Sequence, residues 1–580
     1  MRTNPRPRLA QLWLRAQPWV PVIAMLVCLP ALVNGIELDD LFHAARADDP
    51  LALSTSAFTF FGEHGPRTPF VPDGDLPWWS EPGVKLDLMR PVAALTHLLD
   101  YSAWPRLPWL MHLHSILWYG LLVFLVQRLY HALTGDPARA ALAALIFGLS
   151  QAHAMDVGWL SARNAIIGAT FVTAALHLHH RWRAQGFVPG AVLAPLTFAV
   201  ALLSNEGTVA AGGYLLAYTL VLDRGRRRFW SLAPYAVVAI AWRVAFELLG
   251  YGADHSGMYL DPTSDSANYA ARTVTQAAPM LAARLGLAVL DPLASIPGAD
   301  LVAFVTAIPF VGLLWWLARE RLRVDFITRM WGLGLLLSCF TAGTSVPTDR
   351  GLVILSLGGC AFVADLIPWL RREGESRAHR FVAGGLVALH LVISPVLMPL
   401  RVRSSAWVHG LAERALAKLP RGPEVVDHTV VLVNAPSDLV MIYARALAVH
   451  RGEGEVFPAR VRWLYAGPSA LTATRIGPNT IELRTEDRPW LAAPLDRMFR
   501  RDLRFHEGQT FESACITTEI VAVDAGVAPG IALPTAVRFS LHDERPGCTF
   551  TIMAWTSDGF APWALPEIGQ SQRLEPAVLM

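Results

Sequence analysis

Through its first four hundred residues the chain alternates long apolar blocks with short polar ones. The blocks approach the ~20 residues that a helix needs to cross a bilayer. They run Ala16 to Val33, Pro108 to Leu133, Ala138 to Ala152, Val157 to Leu178, Val188 to Leu203, Gly207 to Leu222, Ser231 to Leu249, Leu301 to Leu317, Met330 to Thr341, Gly351 to Leu370 and Phe381 to Leu397. This pattern predicts a polytopic α-helical membrane protein with about eleven spans, occupying residues 1–400. Two longer polar stretches interrupt it. Residues 36–107 form an outer loop with an interfacial helix near Leu86 to Leu99, and residues 250–298 form a second outer segment. Within the second, Gln276 to Leu290 is less apolar, carries Arg284, and reads as an interfacial or buried helix.

From Arg401 the pattern becomes that of a soluble α/β or mainly β domain, residues 401–580. Thr429 to Asn434, Val461 to Tyr465, Thr480 to Arg484, Thr517 to Val523, Ala536 to Leu541 and Thr549 to Trp555 are rich in β-branched residues between turn formers, and read as strands. Ser437 to His450 reads as a helix.

Composition supports this division. Only 17% of the residues are charged and there are 20 tryptophans, which is too apolar for a soluble protein of 580 residues. The near-neutral balance, a net charge of +2, argues against nucleic acid. Arg2, Arg6, Arg8 and Arg15 precede the first block, and the clusters at Arg181 and Arg183, Arg224 to Arg228, Arg319 to Arg323, and Arg371 and Arg372 all fall on the same side as the blocks alternate. Basic loops stay in the cytoplasm. The chain is therefore expected in the inner, cytoplasmic membrane as a multi-pass protein, its N-terminus inside and its C-terminal domain outside, in the periplasm. Five cysteines without a CxxC pair give no zinc or thioredoxin pattern. Cys515 and Cys548 lie in the exported part, where an oxidising compartment allows a disulfide as readily as two separate buried thiols.

Candidate chemistry starts where the first block ends, at Glu37, Asp39 and Asp40. The segment Val33 to Asp40 is similar to the NGxFxxDD that follows the first span in membrane O-mannosyltransferases carrying TPR repeats. Three further stretches resemble that family in order: His112 to Leu122; Leu145 to Asn164, in which His153, Trp159, Ser161 and Arg163 match; and Ala201 to Glu206. Ser150 and Gln151 replace the family's His-Pro, Met155 stands where it has an acid with Asp156 one residue on, and Asn205 replaces its Lys. No TPR pattern is present. The resemblance covers about 220 residues. It implies a GT-C-like membrane fold and an inverting glycosyltransferase, of hexosyltransferase type, that moves a sugar from a polyprenyl-phosphate-linked donor to an outer-face protein, glycan or lipid acceptor. The expected partners are that donor, membrane lipids and the acceptor.

Such a reaction needs a carboxylate base for the acceptor hydroxyl and cations for the departing phosphate. Asp39 and Asp40 are the candidate base, and Arg163 and Arg350 the candidate phosphate ligands. Glu37, His153, Asp156, Trp159 and Glu206 form a second tier. Arg243 and Glu247, four apart, are spaced for an intrahelical ion pair. His112 and His114, two apart on a helix, face different ways and make no metal site. No cofactor motif appears, and a divalent cation is neither required nor excluded by the pattern. Two other functions fit a polytopic chain: a transporter or flippase of lipid-linked substrate, and a catalytically silent GT-C-like scaffold.

Overall fold

A computed structural model describes residues 17–62, 76–286, 289–291, 296, 298–528 and 530–578. The arginines at positions 2, 6, 8 and 15, residues 63–75 of the first outer loop, and parts of the second outer segment lie outside the described residues. Each of the eleven apolar blocks is helical, and the chain is a polytopic helical membrane protein with a sheet-rich C-terminal part. Among the described residues six helices are long and apolar enough to cross a membrane: Pro108–Thr134, Arg228–Leu248, Ala299–Val324, Phe326–Thr344, Asp349–Leu370 and Arg377–Leu416. A seventh is the pair Pro137–Gly148 and Gln151–Gly158, bent by 46°. The remaining blocks fall short for stated reasons. Gln17–Val33 and Gly190–Leu202 are short, Ala211–Val221 starts only after a 3-10 turn over Glu206–Ala210, and Arg163–Gln185 ends in a run of histidine and arginine.

The bend at Ser150 is built, not frayed. Ser394 Oγ donates to Leu149 O and accepts from the Gln151 N–H, each at 2.8 Å, which satisfies both helix ends exposed by the break. The helices carry polar clusters at both ends. At one end Arg139 is gripped by Asp325, Asp365 and Thr328, and Arg183 pairs with Asp223 at 2.7 Å. The other end holds the candidate site.

The expected interfacial helix is displaced: Pro91–Ala103 is helical, and Leu86–Asp87 instead pairs as a short strand with Thr59–Phe61. Proline at the first helical position sets that start, because its fixed φ suits the first turn and it lacks the N–H a helix leaves unbonded there. The less apolar helix spans Ser266–Leu285 and buries Arg284, which donates to Ser150 Oγ at 2.7 Å and Ser356 Oγ at 3.1 Å.

The C-terminal part has two sheets. In the four-stranded one, Thr549–Thr556 pairs antiparallel with Gly559–Pro562 and parallel with His428–Leu432, which pairs parallel with Arg460–Trp463. The six-stranded sheet is antiparallel, in the order Ser571–Leu574, Leu471–Gly477, Thr480–Thr485, Ile531–Leu541, Ile516–Ala528 and Thr510–Glu512. Cys515 and Cys548 are bonded, S–S 2.07 Å, and join the start of a strand in one sheet to the start of a strand in the other. The expected helix Ser437 to His450 is two, Asp438–Met441 and Ala444–His450, with Tyr443 at the break. Leu38, Phe42, Phe61 and Trp79, from the polar stretch after the first apolar block, share one apolar core with Tyr443, Leu447 and Phe499 of the sheet-rich part. A second core lies among the helices.

Candidate active site

Where the first apolar block ends, Asn34 anchors the chain. Its Nδ2 donates to the carbonyls of Gly158 and Val402, both at 2.9 Å. Position 158 must be glycine, since a Cβ there would sit 1.9 Å from Val402 O. Four residues on, Leu38 adopts φ 52°, a left-handed conformation that a branched side chain takes only when its surroundings hold it. That turn precedes two carboxylates with very different surroundings.

Asp40 is fully buried and fully used: Oδ1 accepts from Ser161 N at 2.8 Å and Ser161 Oγ at 2.5 Å, and Oδ2 from Glu37 N at 3.3 Å. Burial, with the charge of Glu37 adding to it, pushes Asp40 well above the usual carboxylate range. Asp39 is half-buried, and its Oδ1 accepts a hydrogen bond from Tyr443 OH at 2.6 Å. Burial raises its pKa, while the Tyr443 hydrogen bond, then Arg350 and Arg90, oppose the rise. Glu37 accepts from the Gly35 N–H at 3.0 Å, and burial pushes it up to about 7.

Beside this turn lies a cavity of about 510 Å³. Its polar wall includes Arg90, Asp156, Asn164, Glu206 and Arg350, and its apolar wall includes Trp242, Phe246, Met280, Phe340 and Leu355. Asp39 is not on the wall itself; the charges that act on it, Arg350 and Arg90, are. Arg90 and Glu206 form a two-point pair, Nε to Oε2 at 2.8 Å. Burial would raise Glu206, but the Arg90 guanidinium outweighs it and holds the carboxyl below its usual range. Arg350 lies 4.9 Å from the centre of the Trp159 ring, and among the described residues it makes no ion pair. Trp159 is fixed beneath it by donating from Nε1 to Glu37 O at 3.2 Å. Asp156 is fully buried on the same cavity wall, and among the described residues neither of its oxygens has a hydrogen-bond donor. Met155 packs into the apolar core instead.

Arg163 does not reach this cavity. It is fully buried, with Nη2 2.6 Å from Asp100 Oδ2, and donates to Ser115 Oγ at 2.8 Å and Met111 O at 3.1 Å. His114 completes that cluster, 2.7 Å from Asp100. His112 bonds Gly35 O at 3.0 Å. His153 lies in the helical core between Tyr119 OH at 3.1 Å and Ser356 Oγ at 2.8 Å. Among the described residues no group of three or more His, Cys, Asp or Glu is arranged to hold a metal ion.

The segment between Gly252 and Thr263 roofs the cavity. Arg243 makes the expected pair with Glu247 at 2.7 Å, but also holds Asp261 at 2.8 and 3.2 Å and Thr263 Oγ1 at 2.7 Å, so a helix residue latches the roof. From the sheet-rich C-terminal part, Arg501 donates to the carbonyls of Ala253, Ser256 and Tyr259 at 3.1, 3.2 and 3.4 Å. Sequence reading did not reach Arg90, Tyr443 or Arg501. Arg90 carried one signal, its place just before a proline that opens a helix; the other two act across a fold boundary and carried none.

No protein-family model matches the chain, and no curated protein does. Solved structures give matches of low identity. The Archaeoglobus fulgidus oligosaccharyltransferase tethered to an acceptor peptide containing the NVT sequon is 12% identical, with a TM-score of 0.42, over 76% of this chain and 63% of its own. The apo form of that enzyme is 10% identical, with a TM-score of 0.39, over 76% and 64%. This chain thus spans less than two thirds of that protein's length. ArnT from Cupriavidus metallidurans bound to undecaprenyl phosphate is 14% identical, with a TM-score of 0.38, over 78% and 90%.

Proposed function

We propose that the chain is a membrane glycosyltransferase that moves a sugar from a polyprenyl-phosphate-linked donor to an outer-face protein, glycan or lipid, with inversion. The observation that carries this reading is a guanidinium that among the described residues has no ion pair, Arg350, on a cavity lined both by apolar side chains such as Trp242 and Phe246 and by polar ones such as Asp156 and Asn164. A polyprenyl-phosphate sugar has those same three parts: an apolar tail, an anionic phosphate and a neutral, hydroxyl-rich ring. The motif resemblance from Val33 to Glu206 points to the same donor.

In this reading Asp39 takes the proton of the acceptor hydroxyl as its oxygen attacks the anomeric carbon. The bond from that carbon to the phosphate oxygen breaks on the opposite face, its electron pair stays with the phosphate, and Arg350 stabilises the charge that develops. Arg90, neutralised by Glu206, shapes the polar wall without competing for the phosphate. Asp156, with unfilled acceptor positions, serves to receive sugar hydroxyls. Arg163 moves from the phosphate site to the scaffold, because its donors are already taken by Asp100, Ser115 and the Met111 carbonyl.

The test is transfer by the purified chain in vesicles, using a panel of radiolabelled polyprenyl-phosphate hexoses with membrane protein and lipid extracts as acceptors. Label that stays in the donor with every member, or that only crosses the bilayer, would replace the enzyme with a scaffold or a flippase. In the same assay Arg350→Ala is expected to lower kcat/KM for the donor by about ten-fold to a hundred-fold, the loss of a charge-assisted hydrogen bond, with the acceptor KM unchanged; an unaltered donor kcat/KM removes Arg350 from the site.

We also propose that the site and the sheet-rich part face the periplasm. Single cysteines at the exposed positions Asp48 and Glu544 are then labelled by an impermeant maleimide from outside, and one at the exposed Glu373 is not. Labelling of Asp48 and Glu544 from opposite sides breaks this topology.

A further inference from the structure

We infer that the exported domain is a working part of the active site, and that Tyr443 is a positioning residue that sets the orientation of the Asp39 carboxylate. This rests on the reading of Asp39 as the base. Tyr443 is 3% exposed and sits where one expected helix becomes two, so the ring projects from a corner instead of a helix face. Its ring packs 5.3 Å from that of Phe42, two residues past Asp40, and its hydroxyl donates to Asp39 Oδ1 at 2.6 Å. Among the described residues no other donor reaches that carboxylate, so Oδ1 is fixed and Oδ2 is left for the incoming hydroxyl. The same domain grips the cavity roof through Arg501. Base and roof, which come from different parts of the chain, are therefore set by one body.

The groups that act on Asp39 come from several elements. Arg90 precedes the interfacial helix, Arg350 precedes the Val353–Leu370 helix, Tyr259 stands in the roof, and Tyr443 stands in the exported domain. Asp40 is its own neighbour in sequence. Of these, the Tyr443 hydroxyl alone bonds the carboxylate, and it favours the ionised form. Without it Asp39 holds its proton to higher pH, and a base must lose its proton to act.

The experiment is Tyr443→Phe in the full chain in vesicles, which keeps the ring against Phe42 and deletes only the hydroxyl. With the polyprenyl-phosphate hexose that the wild-type chain uses, the acid limb of the kcat/KM profile moves up by about one pH unit, a loss of about ten-fold on that limb, and the rate recovers toward wild type at high pH. Dicyclohexylcarbodiimide modification of Asp39, followed by peptide mass spectrometry, reads the same shift without turnover, since the reagent attacks the protonated carboxyl. Fluorotyrosine at position 443, a stronger donor of the same shape, moves both midpoints down. A pH-independent loss, or an Asp39 modification midpoint that none of these changes moves, overturns the inference. Full transfer by Asp39→Asn overturns the base assignment instead, and the carbodiimide midpoints then still report whether Tyr443 holds the carboxylate.

Discussion

Asp39→Asn is expected to lower sugar transfer by a factor of about a hundred to ten thousand, the usual contribution of a positioned general base, while leaving the chain folded in the membrane. Asparagine has the shape of aspartate and can still accept the Tyr443 hydrogen bond through its Oδ1, so the turn after the first span keeps its geometry. What it lacks is a basic oxygen for the acceptor's proton. The measurement is single-turnover transfer from a labelled polyprenyl-phosphate hexose, with unfolding in detergent as the control. Wild-type transfer by Asp39→Asn, with a dead Asp156→Asn, would transfer the role to Asp156, a carboxylate on the cavity wall. Asp40→Asn serves as the contrast. Asp40 accepts from Ser161 twice and from Glu37 once, so introducing an amide N–H there places a donor against donors and loosens the fold.

Arg163→Ala is expected to prevent accumulation of folded protein. It breaks a fully buried ion pair and leaves the Asp100 charge uncompensated, a change that destabilises by about 3–5 kcal/mol, a large part of a typical stability of about 5–15 kcal/mol. The hydrogen bonds to Ser115, Met111 O, His114 and Thr96 go with it. The measurement is the yield of monodisperse protein and its thermal unfolding. Lysine at 163 is not expected to restore either, because one ammonium on a shorter reach cannot serve Asp100, Ser115 and Met111 together. A well-folded Arg163→Ala protein defective only in donor use would return Arg163 to the phosphate site.

The helical blocks were legible because bilayer thickness imposes a length that sequence reports directly. Their breaks were less so: the bend at Ser150 depends on Ser394, some 243 residues away, and no local pattern announces such a partner. The strands beginning near Thr429, Thr480 and Thr549 were legible from β-branched runs, whereas Leu471–Gly477, Thr510–Glu512, Gly559–Pro562 and Ser571–Leu574 were not, being short or mixed in composition. At the site, residue types were readable and their division of labour was not. Asp39 and Asp40 are adjacent in sequence, yet one is tied to Ser161 and the other to Tyr443, because the left-handed Leu38 turns the chain just before them. Arg163 and Arg350 were both candidate phosphate ligands, with Arg163 the stronger; Asp100, Ser115 and the Met111 carbonyl, which Arg163 meets and Arg350 does not, separate them.

Asp39 and Tyr443 are 404 positions apart, and the strand His428–Leu432, which leads into the Tyr443 region, takes one of its two parallel partners from Thr549–Thr556. A ribosome therefore releases the first half of the site long before the segment that completes it. During that interval Asp39 lacks the Tyr443 hydroxyl, and the segment between Gly252 and Thr263 lacks Arg501. If the chain transfers a sugar as proposed, the reaction waits for the strand Thr549–Thr556 to be made and paired, and the order of synthesis then guards the donor against unfinished copies.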